Sequence, residues 1–191
     1  MTLMRKKDGT VDYGATYAHC HELHQSYQTK NWGKHYRPHW EHLLQPDMKI
    51  LEAGCGNGKL CRRLKMAGYD ITGIDVTPGP YKRDYEFKVQ DITQTPWPFA
   101  NEQFDLGLAF DVFEHIELEK IDLTLKEFMR VSKQQAISIP NCKSVGKLHV
   151  LIRPVEWWLE KLIYHSDYGW KIVATEPATK GGEVNVLIRS K

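Results

Sequence analysis

Lys49-Ile50-Leu51-Glu52-Ala53-Gly54-Cys55-Gly56-Asn57-Gly58-Lys59-Leu60 is the stretch that decides how this chain is read. A short apolar run follows the polar Pro46-Asp47, with the length and character of a buried parallel strand. Glycines then alternate at 54, 56 and 58. A helical pattern comes next, with Leu60, Leu64 and Ala67 on one face and Gly68 as its stop. Strand, glycine turn and helix together let a backbone approach a ligand closely, because glycine has no Cβ and takes positive φ at little cost. The helix start adds free N–H groups and a partial positive charge. The spacing excludes two nucleotide motifs. A dinucleotide fingerprint requires glycine where Lys59 stands, and a P-loop requires Gly-Lys-Ser/Thr where the chain has Gly58-Lys59-Leu60.

Working outward, Tyr69 to Asp75 reads as a second strand ending in a carboxylate, 17 residues past Gly58. That is close to the place where an acidic side chain accepts ribose hydroxyls in nucleotide-binding sheets. A third strand, Tyr85 to Gln90, ends at Asp91-Ile92. A fourth, Phe104 to Phe110, runs into Asp111-Val112-Phe113-Glu114-His115-Ile116. In order across residues 50–116, and more loosely to 190, these segments resemble the motifs of the class I S-adenosylmethionine (SAM)-dependent methyltransferases. The resemblance implies an α/β, three-layer, Rossmann-like methyltransferase fold, with a seven-stranded, mostly parallel sheet and a C-terminal antiparallel hairpin. It implies SAM as cofactor and S-adenosylhomocysteine as product. The glycine motif Gly54-Cys55-Gly56-Asn57-Gly58 would cradle the cofactor. Glu52 would accept from its amino group or orient the turn, and Asp75-Val76 would meet the ribose. Asp91-Ile92 would meet the adenine, and Phe110-Asp111 would border the reactive methyl group.

The 191 residues suit one domain, with 1–45 as an N-terminal lid or helical segment and 46–191 as the SAM-binding core. Hydrophobic content of 41% and a net charge of +2 give no argument for a nucleic-acid or membrane surface. No apolar run approaches the ~20 residues of a membrane span, and the charged N-terminus lacks the apolar centre of a signal peptide. Cysteines 20, 55, 61 and 142 form no C-x-x-C pair, so neither a disulfide framework nor a zinc site is suggested. A cytoplasmic protein is expected, and its oligomeric state is left open.

Aromatic and histidine residues crowd between Tyr13 and Tyr36 without a clean helical stripe. The segment reads either as a lid over the cofactor and substrate or as a surface stretch packed through its rings. His19, His21 and His24 show no recognised metal-ligand pattern, and no metal is expected. The crossover at 76–84 is too short and too rich in proline for a full helix. Trp97 reads as core packing or a sheet cover. A helix is expected over Leu118–Val131. A fifth strand is expected over Ala136–Ile139, capped by Pro140-Asn141, followed by a polar loop from Cys142 to Arg153 and a helix starting at Pro154. Runs at 170–176 and 183–189 supply the terminal hairpin.

By the resemblance, methyl transfer from SAM is a direct displacement in which the protein positions two reactants and excludes water. A base is needed only when the nucleophile arrives protonated, as an alcohol does. Asp111, His115 and His149 are the catalytic candidates. His115 has an ordinary pKa of ~6.5, suited to proton transfer near neutrality, and reads alternatively as a helix-start histidine bonded to backbone. Tyr17, Glu114 and Arg153 are expected on the substrate side, Arg153 for an anionic group or simply as a surface arginine. No strand ends in the Asn/Asp-Pro-Pro-aromatic tetrad of base N-methylating enzymes. The expected reaction is methylation of a small-molecule acceptor, at oxygen. The alternatives are an RNA or protein acceptor, or a SAM-binding module without turnover.

Overall fold

The computed structural model describes residues 2–141, 148–166, 169–178 and 182–190. Its centre is a seven-stranded sheet in the order β3-β2-β1-β4-β5-β7-β6. The strands are β1 (Lys49–Ala53), β2 (Asp70–Asp75), β3 (Glu86–Val89), β4 (Phe104–Phe110), β5 (Ser132–Asn141), β6 (Lys171–Pro177) and β7 (Glu183–Arg189). The first five pair in parallel, whereas β7 runs antiparallel to both β5 and β6. β1 is apolar almost throughout because it is covered on both faces: Ile50, Leu51 and Ala53 are fully buried.

Helices α1 (Tyr13–Leu23), α2 (Gln25–Thr29), α3 (Trp32–His35), α4 (Arg37–Trp40), α5 (Lys59–Met66), α6 (Leu118–Val131) and α7 (Val155–Tyr164) flank the sheet. One face carries Leu125, Phe128, Trp158 and Leu162 from α6 and α7. The opposite face carries Trp40, Leu60 and Leu64 from α4 and α5 against Ile50 and Ile71. Trp97 is core packing: its indole is buried and donates to the Ile92 carbonyl at 2.9 Å, while its backbone N–H donates to Glu127 at 2.6 Å.

Two elements differ from the sequence expectation, and a third follows it. The segment from Tyr13 is helical although it shows no apolar stripe, because the buried side of α1 is Tyr13, Thr16, Cys20 and His21, a mixture of polar and apolar groups. Asp12 starts that helix by accepting the Ala15 N–H at 2.9 Å. β5 is longer than its apolar run, and Pro140 lies inside it opposite Val184 rather than capping it. A proline is tolerated there because the ladder with β4 ends at Ser138, leaving no β4 acceptor for the missing N–H. Between β2 and β3 the connection is parallel yet helix-free, as its length required. Cys142 to Lys147 of the polar loop lie outside the described residues.

Candidate active site

The carboxyl ends of β1, β2 and β4 open onto a cavity of about 440 Å³, at the sheet end where α/β folds bind ligands. The glycine turn forms one wall. Gly54 has φ +66°, and a Cβ there would lie 2.6 Å from a Val112 methyl, so the turn and the segment after β4 interlock only with glycine. At Gly56 (φ +50°) the nearest group to an added Cβ is the His21 ring at 3.9 Å, which leaves that backbone open to the cavity. Gly58 does not line the cavity. It caps α5 at φ +69°, pressed so closely against the Tyr85 hydroxyl that a Cβ would overlap it at 1.9 Å.

Asp75 ends β2 with both oxygens fixed. One accepts the Gly56 N–H at 2.8 Å and the other the Thr77 N–H at 3.3 Å. Burial raises its pKa despite those donors. Glu52 ends β1 and accepts from the Cys61 thiol at 2.8 Å; burial pushes its carboxyl up to about 7. Asn57 ties the turn to the N-terminal helices, donating to the Tyr27 and Lys30 carbonyls at 2.9 and 2.8 Å. Val76, Asp91 and Ile92 line the same side, and Asp91 accepts from both the N–H and the hydroxyl of Thr93.

Sequence reasoning missed Arg83. It stands where a crossover helix would have lain, donating to the Gly56 and Pro78 carbonyls at 2.7 and 2.8 Å, with its guanidinium 4.3 Å from the Phe87 ring centre. No motif marked it, because it acts by bonding to backbone. Glu176 was also missed: it accepts from His35 and His39 at 2.9 and 2.8 Å, fastening α3 and α4 to β6. Its only sequence signal was an acidic residue on an otherwise apolar strand end.

The opposite end of the cavity is built by the segment after β4. Asp111 adopts φ +55°, a strained backbone for a non-glycine residue, and its carboxylate accepts the Ser138 hydroxyl at 2.6 Å. Burial pushes that carboxyl up to about 6. His115 places Nδ1 3.0 Å from the Leu148 carbonyl and Nε2 3.4 Å from Glu114 Oε1. Burial, with His149 beside it, lowers its pKa to about 3. His149 meets His115 edge-on at 4.8 Å. Tyr17 packs edge-on against His115 at 5.8 Å, and its buried hydroxyl has no hydrogen-bond partner among the described residues. Thus Tyr17, Asp111, His115 and His149 line the cavity together. Glu114 is fully buried behind that wall, and burial raises its pKa well above the ordinary carboxylate value. Arg153, expected on the substrate side, does not reach the cavity. It is exposed, 5.8 Å from the Trp157 ring centre, because Pro154 starts α7 and carries the chain outward.

These residues fit SAM: an open glycine backbone, two buried carboxylates at strand ends and an apolar side wall surround one cavity. Residues 51–139 match the model of the methyltransferase domain family. The ubiquinone biosynthesis O-methyltransferase of Rickettsia bellii is 31% identical over 90 residues, covering 44% of this chain and 35% of that protein. The eEF1A lysine and N-terminal methyltransferase of Mus musculus is 28% identical over 158 residues, covering 74% of this chain and 21% of that protein. The matches thus span about a third or less of these relatives' length. Among solved structures, a Burkholderia thailandensis 1,6-didemethyltoxoflavin-N1-methyltransferase, crystallised with 1,6-didemethyltoxoflavin and S-adenosylhomocysteine, shares the fold. Its TM-score is 0.72 at 14% identity, covering 93% of this chain and 86% of that one. The chain thus matches a methyltransferase domain over residues 51–139 and shares its fold with a methyltransferase of known structure. The matched segment begins in β1 and ends in β5, the strands that hold both ends of the cavity.

Proposed function

We propose that the chain transfers the methyl group of SAM to an oxygen of a small-molecule acceptor held in this cavity. The observation that carries the reading is the roof: α1 to α4 bring Tyr17, Tyr27 and Tyr36 over a space of about 440 Å³. That volume is at the small-ligand scale of ~300–1,000 Å³. SAM, when bound, supplies a methyl group on a positively charged sulfur that leaves as a neutral thioether. Glu52, Asp75 and Asp91 would hold the cofactor's polar groups, with Val76 beside the ribose and Ile92 beside the adenine. Tyr17, His115 and His149 position the acceptor. Asp111, with its carboxyl at about 6, is matched to taking a hydroxyl proton near neutral pH, whereas His115 at about 3 is too weak a base. The Rickettsia bellii relative's name supports oxygen as the acceptor atom.

A protein amino group is the second reading. It is favoured by the greater length of the match to the lysine and N-terminal methyltransferase. The two separate on incubation with methyl-labelled SAM and parallel panels of phenols and catechols, amines, and unlabelled protein extract. Label on a small oxygen acceptor is the expected result. Label confined to protein, or to amines, would overturn the oxygen reading.

A further inference from the structure

Glu114, His115 and His149 bring three ligand atoms within 4.8 Å of one another. The hydrogen positions make this grouping unusual. The Leu148 carbonyl, 3.0 Å from His115 Nδ1, can only accept, so that nitrogen carries the ring hydrogen and Nε2 of the neutral ring presents a lone pair. Nε2 faces Glu114 Oε1 at 3.4 Å, and His149 Nε2 approaches the same oxygen at 3.6 Å. Both distances are too long for a protonated carboxyl donating to a ring. Glu114 is fully buried, yet neither of its oxygens has a hydrogen-bond partner among the described residues. A buried carboxyl that makes no hydrogen bond is costly in either protonation state, and a cation bound there would relieve that cost.

We propose that Glu114, His115 and His149 bind a divalent first-row cation of the zinc type, with its remaining coordination positions open to the cavity. Two imidazoles and a carboxylate form a ligand set typical of such ions when one position is left for water or substrate. Ligands held about 2.0–2.1 Å from a tetrahedral ion lie about 3.4 Å apart, close to the two separations from Glu114 Oε1. The surroundings are those of a prepared site. The Leu148 carbonyl orients the His115 ring, as outer hydrogen bonds do around metals. The Val150 and Leu151 N–H groups both donate to the Glu114 carbonyl at 3.0 Å, holding the chain that carries His149 against Glu114. His115 and His149 face the cavity, and Glu114 closes the site from behind. An acceptor hydroxyl on the ion loses its proton more readily, to Asp111, and its oxygen then attacks the methyl carbon as the carbon–sulfur bond breaks. This use of the ion rests on the oxygen-acceptor reading; its binding does not.

The test is titration of the chelator-treated full chain with Co²⁺, read by visible absorption, followed by Zn²⁺. Saturation at one equivalent is expected, with displacement by one equivalent of Zn²⁺ and at least tenfold weaker binding in Glu114→Gln and His149→Asn. Calorimetry with S-adenosylhomocysteine checks that each variant is folded, and His149→Asn carries the test if Glu114→Gln is not. No cobalt absorption, or absorption undiminished in the folded variants, overturns the site. Cobalt binding without methyl transfer to any oxygen acceptor upholds the site and sinks the acceptor reading. Oxygen methylation unchanged after chelation overturns the assigned use.

Discussion

Glu52 and Asp75 end adjacent strands with their carboxyls sealed beneath the glycine turn, and their surroundings differ in a way that titration can read. Asp75 takes two backbone N–H groups, whereas Glu52 takes a thiol, a much weaker donor. The Glu52 pKa of about 7, against an ordinary 4.5, means that the ligand-free fold favours the protonated form. A raised carboxyl contributes stability below its ordinary value and loses it as pH rises through its folded value. The wild type should therefore lose roughly 3 kcal/mol relative to Glu52→Gln between pH 4.5 and 7. Urea denaturation of both proteins across that range measures the difference, and parallel profiles would refute it. Asp75→Ala removes the group proposed to hold the ribose and also frees the Gly56 N–H. It should weaken S-adenosylhomocysteine binding at least about tenfold, roughly 1.4 kcal/mol, by calorimetry. Unchanged affinity would remove the ribose assignment.

At the scale of elements, the junction of α3 with α5 and β4 is closely packed. A Cβ on Gly33 would lie 2.2 Å from a Leu60 methyl and 3.0 Å from the Phe110 ring, while the Gly33 carbonyl accepts the Trp40 indole N–H at 3.0 Å. Gly33→Ala should cost about 1–3 kcal/mol through overpacking. A lowered thermal midpoint with weakened cofactor binding is the expected result, and an unchanged midpoint would show that Leu60 yields freely. The same junction marks what could be read from sequence. β1, β2, β4 and α6 were legible because burial on both faces, or on one helical face, leaves a periodic apolar pattern. α1 was not, since its buried side includes Thr16 and His21. The glycine turn and Asp75 were legible from spacing along one βαβ unit. Arg83 was not, since a side chain that bonds to carbonyls leaves no pattern. The grouping of His149 with Glu114 and His115 needed the fold, because more than 30 residues separate them in the chain.

At the scale of the whole molecule, the cavity lies between two parts of the chain that are remote in sequence. The N-terminal helices form its roof, and Glu176 on the penultimate strand holds that roof through His35 and His39. No helix among the described residues is long and apolar enough to cross a membrane.

The bonds from Asn57 to the Tyr27 and Lys30 carbonyls, with that from Lys59 to the Thr29 carbonyl, tie the glycine turn directly to the roof of the cavity. Lifting the roof to release spent cofactor should strain the turn proposed to hold it, so that release and loosening of the turn are expected to be coupled. Turnover should then be paced by that departure and not by bond making. Rapid mixing of enzyme with SAM and a competent acceptor should show a fast first round of product, close to one per active site, before a slower steady phase. A straight time course from the outset would place the slow step in the chemistry. Asn57→Ala, by uncoupling the two surfaces, should shorten the occupancy of S-adenosylhomocysteine and flatten the initial surge.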